Sequence, residues 1–281
     1  MRNEIARLIS IISQINGSDI SRYDDSFLLQ TVKRRCDVAQ TADFSAYLSY
    51  LSDHEAECRD FLLSLNNHYT EFFRNELTFA QLEHRFLPPL IEQMPDTREF
   101  RVWSAGCSTG QEAYSLAILL ENIAERKRAS FRYRIIATDI LEPALCAARK
   151  GEYREEAVQN IRHKDLNLYF TPSAGGYTVS ERLKKNVCFS VYDLFDPLSG
   201  TPSDSIFGNF DLVMCSNVLL YYTADSQRLI LRKLVNSMIG NGYLVTGEAE
   251  RSSVGKTAEL VAAAPPSPIF KKRHEVRYEA E

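Results

Sequence analysis

The sequence predicts an α/β protein: a doubly wound, mostly parallel sheet, preceded by an all-helical segment and interrupted by a small β insertion. Three observations predict it. From Phe100 onward, short apolar runs alternate with amphipathic helical stretches, which implies parallel strands covered by helices on both faces. Before residue 75 the apolar spacing is helical only. Residues 151–186 break the alternation with polar sequence, Gly175-Gly176 and a short β-like run, Tyr177-Thr178-Val179.

In the helical part, Ile5, Leu8, Ile9 and Ile12 recur at the spacing of one helix face, and Phe44, Tyr47, Leu48 and Leu51 repeat it. Between them Phe27–Cys36 is also helix-like and carries Lys33-Arg34-Arg35. Pro88, Pro89 and Pro95 mark a helix end and a connection. The expected division is a helical domain over 1–75, a linker over 76–97 and an α/β domain over 98–281. The strands expected in that domain are Arg101–Ser104, Tyr133–Ala137, Val187–Val191, Phe210–Cys215 and Tyr243–Thr246, with helices over 111–123, 142–150 and 225–239. The last helix has Leu231, Leu234, Val235 and Met238 on one face, Gly240 as its stop and Asn241-Gly242 as the turn after it. The proline-rich 261–268 reads as a loop before a final strand near 275–279.

Composition narrows the function classes. The 281 residues are 44% apolar with a net charge of −4, enough for a sizeable core and against a general nucleic-acid binder. No apolar run approaches the roughly 18 residues of a membrane span, and the Met1-Arg2-Asn3-Glu4 start lacks signal-peptide character. A cytoplasmic protein is expected, with no membrane insertion. Six cysteines and five histidines are scattered without metal-ligand spacing, so the cysteines read as isolated buried thiols and no metal site is expected.

The chemistry concentrates after the strands. Ala105 ends the first strand, Gly106 and Gly110 make the turn, and an apolar helix follows over Ala113–Ile123. Such a turn either is purely structural or brings backbone N–H groups against a cofactor. It lacks both the Gly-x-x-x-x-Gly-Lys-Ser/Thr and the Gly-x-Gly-x-x-Gly patterns, which disfavours nucleotide triphosphates and NAD. Glu112 beside the turn would repel a pyrophosphate but can pair with the ammonium of S-adenosylmethionine. Asp139, at the end of the second strand, suits the two ribose hydroxyls of an adenosine-containing cofactor; the alternative is a helix N-cap for 142–150. Asn217–Tyr222 follow the strand ending at Cys215, where open α/β sheets keep their sites, although Tyr221 and Tyr222 also read as ordinary half-buried aromatics. Thr70-Glu-Phe-Phe-Arg74 is either a functional segment or a seam with a solvated cation.

Together, Thr70–Arg74, Gly106-Cys-Ser-Thr-Gly-Gln-Glu-Ala-Tyr-Ser115, Ala137-Thr-Asp-Ile140, the insertion at 151–186 and Cys215-Ser-Asn-Val-Leu-Leu-Tyr-Tyr222 resemble, in order, the chemotaxis-receptor methyltransferases, the CheR family. The resemblance implies a Rossmann-like S-adenosylmethionine-dependent methyltransferase fold. It implies methyl-ester formation on glutamate side chains of chemoreceptor cytoplasmic helices, by a monomer whose product is S-adenosylhomocysteine. By the same resemblance, Arg74 and Tyr221 are catalytic. Thr70, Arg74, Ala105, Gly106, Glu112, Asp139, Asp193, Leu194, Asn217 and Val218 contact the cofactor, and Lys33, Arg34 and Arg35 face an acidic helical partner. The chain departs from the family pattern at Asn67-His68, Gln111 and Ala113. Ser216 stands where the family has arginine, and Gly247-Glu-Ala-Glu250 where it has Gly-His-Ser-Glu. These departures keep two alternatives in view: a cofactor-binding signalling module without catalysis, and a protein methyltransferase outside chemotaxis.

Overall fold

The computed structural model describes residues 2–65, 70–127, 131–205 and 208–273. By their contacts the residues fall into two compact units, Met1–Asn67 with Leu219–Arg228, and His68–Val218 with Leu229–Glu281.

In the first unit, α1 (Arg2–Asn16), α2 (Asp25–Ala39), α3 (Phe44–Asp53) and α4 (Glu55–Leu65) share one core. The α1 stripe behaves as its spacing predicts: Ile5, Leu8 and Ile12 are buried, with Ile9 packed at the margin. Burial of side chains of this size is worth about 1.5–3 kcal/mol each. Aspartates start two of the helices. Asp24 accepts the Ser26 N–H at 2.9 Å and Asp43 accepts the Ala46 N–H at 2.8 Å, satisfying donors that have no partner inside the helix.

The basic triplet on α2 does not act as one face. Lys33 and Arg34 are exposed, but Arg35 turns inward and donates Nε–H to Glu57 at 2.8 Å. Glu57 is 7% exposed and also accepts the Tyr47 hydroxyl at 2.7 Å. Arg35 is therefore the counter-ion of a buried carboxylate, and that carboxylate holds the guanidinium's pKa up. Leu219–Arg228 belong to this unit by contact: Asp24 donates its N–H to the Tyr221 carbonyl at 2.9 Å, and the Tyr23 and Tyr222 rings stack at 5.0 Å.

The second unit carries the strands β1 (Phe100–Ala105), β2 (Tyr133–Asp139), β3 (Glu152–Tyr153), β4 (Phe170–Ser173), β5 (Gly176–Val179), β6 (Val187–Val191), β7 (Phe210–Cys215), β8 (Met238–Thr246), β9 (Leu260–Ala262) and β10 (Ile269–Lys272). Its helices are α5 (Glu76–Gln81), α6 (Leu87–Glu92), α7 (Gln111–Lys127), α8 (Glu142–Lys150), α9 (His163–Tyr169), α10 (Glu181–Lys184) and α12 (Arg251–Val254), with α11 (Ala224–Ser237) entering from the first unit. The main sheet is seven-stranded in the order β6-β2-β1-β7-β8-β10-β9. β6, β2, β1, β7 and β8 run parallel, whereas β10 is antiparallel to both β8 and β9. Every residue of β7 is buried, as expected of a strand covered on both faces. The chain winds outward from β1 through β2 to β6, then returns to build β7 on the other side of β1. Strand order thus reverses between β1 and β7, the switch point beyond whose strand ends open α/β sheets bind their ligands.

Four local expectations need correction. The prolines at 88 and 89 do not end a helix: they sit inside one unbroken helical run, in α6 directly after the π-helical turn over Leu82–Phe86. The stretch from Glu76 to Glu92, read as a connection, is mostly helical, with a π-helical turn over Leu82–Phe86 between α5 and α6. Gly240 does not stop a helix: α11 ends at Ser237, Met238 already pairs with Phe210, and Gly240-Asn241-Gly242 lie inside β8, where the register slips. Within 261–268, read as a loop, Val261 and Ala262 extend the edge strand β9. The strand expected near 275–279 lies outside the described residues.

The insertion forms its own three-stranded sheet, β3-β5-β4, with β4 and β5 paired as a hairpin from Phe170↔Val179 to Ser173↔Gly176. It has no separate core. Tyr153, Val158, Ile161, Tyr169, Phe170, Val179 and Leu183 are buried in the same cluster as the main sheet. Arg182 bridges Glu121 at 2.6 Å and Glu125 at 2.9 Å on α7. Among the described residues no helix is long and apolar enough to cross a membrane. Cys58, Cys107 and Cys215 are buried, but Cys146 is exposed and Cys36 and Cys188 are only partly covered, so the expectation of six buried thiols holds for three.

Candidate functional site

The switch point between β1 and β7 is built from four chain segments. β1 ends at the fully buried Ala105, and Gly106 then takes a left-handed conformation (φ 80) that an L side chain rarely adopts. A Cβ at Gly106 would also lie 2.5 Å from Val218 Cγ2, so the turn must be bare to meet the loop after β7. The N–H groups of Gly106 and Cys107 both reach the Thr138 carbonyl, at 2.8 and 2.9 Å, fastening the turn to the end of β2.

Asp139 caps this arrangement. One carboxylate oxygen accepts the Ser108 N–H at 2.8 Å and the other accepts the Leu141 N–H at 3.1 Å. It does not cap α8 in the manner weighed for it, since Leu141 holds the N-cap position without a side-chain bond. A carboxylate has about four lone-pair sites, so the two N–H bonds leave acceptor capacity for two hydroxyls. The Tyr192 N–H bonds the Asp139 carbonyl at 3.0 Å, which brings the loop after β6 alongside. Asp193 and Leu194 are half-buried there, and Asp193 accepts its own loop's Phe195 N–H at 2.8 Å.

Glu112, in the first turn of α7, is the electrostatic centre of the site. Burial is the largest influence on its carboxyl and pushes its pKa up to about 7. The Ser104 hydroxyl, donating at 2.7 Å, and Ser216 favour the charged form. Nearby Glu250 opposes it and Arg74 favours it. The pair Arg74 and Glu112, 38 positions apart in sequence, therefore share one electrostatic environment. Arg74 is half-buried and sits on a segment pinned by the Phe73 N–H to the Ser115 hydroxyl at 2.9 Å. Thr70 opens that segment and is also half-buried.

Asn217 has a left-handed backbone (φ 61), and its N–H donates to Glu250 at 3.1 Å. Glu250 is 2% exposed; the sequence shows it only as the last residue of Gly247-Glu-Ala-Glu250, with no role of its own. Its one legible signal is its place three residues after Gly247, whose N–H it accepts at 2.6 Å, the returning half of a capping box. Tyr221 belongs by its contacts to the first unit. There its ring lies 4.8 Å from that of Phe27, and it shares a groove of 510 Å³ with Ser26, Gln30, Lys33, Arg34 and Leu220.

The donor set fits a cofactor with a cationic amino-acid end and an adenosine end. Glu112 offers a carboxylate to an ammonium, Asp139 has spare acceptor capacity for ribose hydroxyls, and the bare Gly106 lets backbone come close. It does not fit a pyrophosphate, which Glu112 would repel.

Comparison with known proteins gives the same answer independently. Residues 68–264 match the CheR methyltransferase, SAM binding domain, and residues 3–65 match the CheR methyltransferase, all-alpha domain. A chemotaxis protein methyltransferase of Borreliella burgdorferi is 28% identical over 94% of this chain and 93% of its own. One from Escherichia coli is 31% identical over 88% of this chain and 84% of its own. An uncharacterized 104.1 kDa protein of Rhodobacter capsulatus is 29% identical over 88% of this chain, which spans only 25% of that larger protein. With a glycine turn, a half-buried glutamate and a strand-end aspartate gathered at the switch point, and both matched segments in order, the chain belongs to the CheR methyltransferase family and carries its S-adenosylmethionine-binding domain.

Proposed function

We propose that the protein transfers a methyl group from S-adenosylmethionine to glutamate side chains on the cytoplasmic helices of chemoreceptors, forming methyl esters. The observation that carries this reading is the half-buried Glu112, within the electrostatic reach of Arg74, beside the Gly106 turn of a chain in which both family segments match. The relatives' description as chemotaxis protein methyltransferases supports the receptor as substrate.

S-adenosylmethionine, when bound, supplies a methyl group on a sulfonium centre. A glutamate with a reference pKa of about 4.3 is already a carboxylate nucleophile at neutral pH, so the site needs no general base. What this chain must supply is alignment and exclusion of water. Glu112 takes the ammonium end and Asp139 the ribose, with Asp193 and Leu194 bordering the adenine. Ala105, Gly106, Asn217 and Val218 shape the floor, and Thr70 lies on the segment that presents Arg74. Arg74 orients the incoming carboxylate through charge-assisted hydrogen bonds.

The resemblance assigns Tyr221 to the methyl-transfer position. In its own unit Tyr221 shares a groove with the exposed Lys33 and Arg34, so an acidic helix laid on these two cations would reach the tyrosine. Arg35 takes no part in docking, because Glu57 holds it. On this reading residues 1–75 form the docking domain and 98–281 the catalytic one, in a cytoplasmic monomer. The test is transfer of radiolabelled methyl from S-adenosylmethionine to chemoreceptor membranes. Base-labile label is expected; base-stable label, or none, would contradict ester formation.

A further inference from the structure

The loop beside the switch point is itself held from behind. Asn217 and Val218 follow β7 with no regular structure to fix them, and Asn217 adopts a left-handed backbone. Val218 must nevertheless stay packed on the bare edge of Gly106, where there is no room for even a methyl group. A single oxygen supplies the restraint. Glu250 Oε2 accepts the Asn217 N–H at 3.1 Å and the Gly247 N–H at 2.6 Å, tying the loop after β7 to the loop after β8. The carboxylate is 2% exposed, so water does not compete for these bonds. Gly247 is in ordinary extended backbone (φ −73, ψ 156) and is not needed for its conformation. It is needed for space: a Cβ there would lie 3.0 Å from Asn217 N, Asn217 Nδ2 and Glu250 Oε2 together. The same turn reaches the fourth segment of the site, since Glu248 accepts the Asn75 side-chain amide at 3.1 Å, one residue beyond Arg74.

We propose that Glu250 is a positioning residue of the cofactor site, its carboxylate oxygen bracketing the Asn217 and Gly247 amides so that Val218 is held against the Gly106 turn. The inference rests on the cofactor reading given above and assigns Glu250 no contact with the cofactor. Its role is acceptance by one oxygen, not charge, and this separates it from Glu112. A glutamine at position 250 can place its carbonyl oxygen where Oε2 now sits and keep both bonds; a leucine can keep neither.

Three variants of the full chain, Glu250→Gln, Glu250→Leu and Gly247→Ala, are measured by calorimetry with S-adenosylhomocysteine, by thermal unfolding, and by amide hydrogen exchange at Asn217 and Val218 without ligand. Losing a buried acceptor shared by two amides is expected to weaken binding by about 10-fold or more in Glu250→Leu, with faster exchange at Asn217. Gly247→Ala should do the same by crowding the bracket while leaving Glu250 in place, which keeps the test decisive if Glu250→Leu does not fold. Glu250→Gln should stay within about 3-fold of the parent, as a neutral acceptor replaces a charged one. If Glu250→Gln binds as weakly as Glu250→Leu, the charge matters rather than the bracket, and the proposal is overturned. It is equally overturned if Gly247→Ala and Glu250→Leu both bind like the parent. A parent protein that fails to bind S-adenosylhomocysteine would count against the cofactor reading instead, and exchange at Asn217 in the unliganded variants would still decide the bracket.

Discussion

On the proposed reading, Glu112 makes the cofactor site a proton-linked one. Burial pushes its carboxyl up to about 7, so near neutrality the unliganded protein divides between a protonated and an ionised form. Only the ionised form can pair with an ammonium, and the apparent dissociation constant is the intrinsic one divided by the ionised fraction. For a pKa of about 7, that fraction is about one in eleven at pH 6 and about ten in eleven at pH 8. Affinity for S-adenosylhomocysteine should therefore rise about 10-fold across those two units, or about 1.4 kcal/mol. Calorimetry at pH 6, 7 and 8, in two buffers of different ionisation enthalpy, reads both the affinity and the proton released; about half a proton is expected at pH 7. Glu112→Gln should bind more weakly at pH 8, by the 1.5–3 kcal/mol or so typical of a lost charge-assisted hydrogen bond, and should lose the slope. The unliganded stability must move the other way. The folded pKa lies above the unfolded value of 4.5, so the contribution is complete below about 4.5 and is lost as pH rises through about 7. Glu112→Gln should thus melt above the parent at pH 8. A pH-independent affinity, or a slope that survives in Glu112→Gln, would refute the reasoning.

Four further outcomes follow from the structure. Asp139→Ala should weaken S-adenosylhomocysteine binding by about 1–3 kcal/mol on calorimetry, since a half-buried acceptor is lost; it also releases the Ser108 and Leu141 amides, so faster hydrogen exchange at both should accompany it. Arg74→Ala should abolish methyl transfer in a radiolabel assay while most cofactor affinity remains, and near-parental turnover would make Arg74 a surface charge. Reversing Lys33 and Arg34 to glutamate should reduce methylation of receptor membranes, increasingly so at low salt where exposed charges are less screened, and leave the melting temperature unchanged. Arg35→Ala should instead destabilise the protein by about 3–5 kcal/mol in denaturant unfolding, because it strands the buried Glu57.

Elements whose ends carry their own chemistry were legible in sequence to the residue. α8 runs from Glu142, with a proline in its first turn, to Lys150, followed by Gly151 in a left-handed C-cap, and β7 spans Phe210–Cys215 as expected. The misreadings share one cause: glycine and proline punctuate structure only when the local signal outweighs the tertiary one. Pro88 and Pro89 lie within a continuous helical run, directly after a π-helical turn, and Gly240-Asn241-Gly242 fall inside β8 where its register against β7 slips, between Met238↔Phe210 and Tyr243↔Leu212. In the site, Gly106, Glu112 and Asp139 stood out because each lies next to a strand end or a turn. Glu250 stood out only as part of Gly247-Glu-Ala-Glu250; its bond to Asn217, 33 positions away, was not legible because no spacing rule connects them. The triplet 33–35 misled for the reverse reason. Three consecutive residues on a helix point about 100° apart, so Arg35 could turn to Glu57 while its neighbours stayed in solvent.

The central claim is a methyl ester on glutamate, and mass-spectrometric mapping of the methylated residue in receptor membranes incubated with the protein and S-adenosylmethionine tests it most directly. The account predicts the methyl on glutamate carboxylates of the cytoplasmic helices, lost on mild base treatment and absent with Arg74→Ala. A methyl on a nitrogen-bearing side chain, or on a protein other than the receptor, would contradict it.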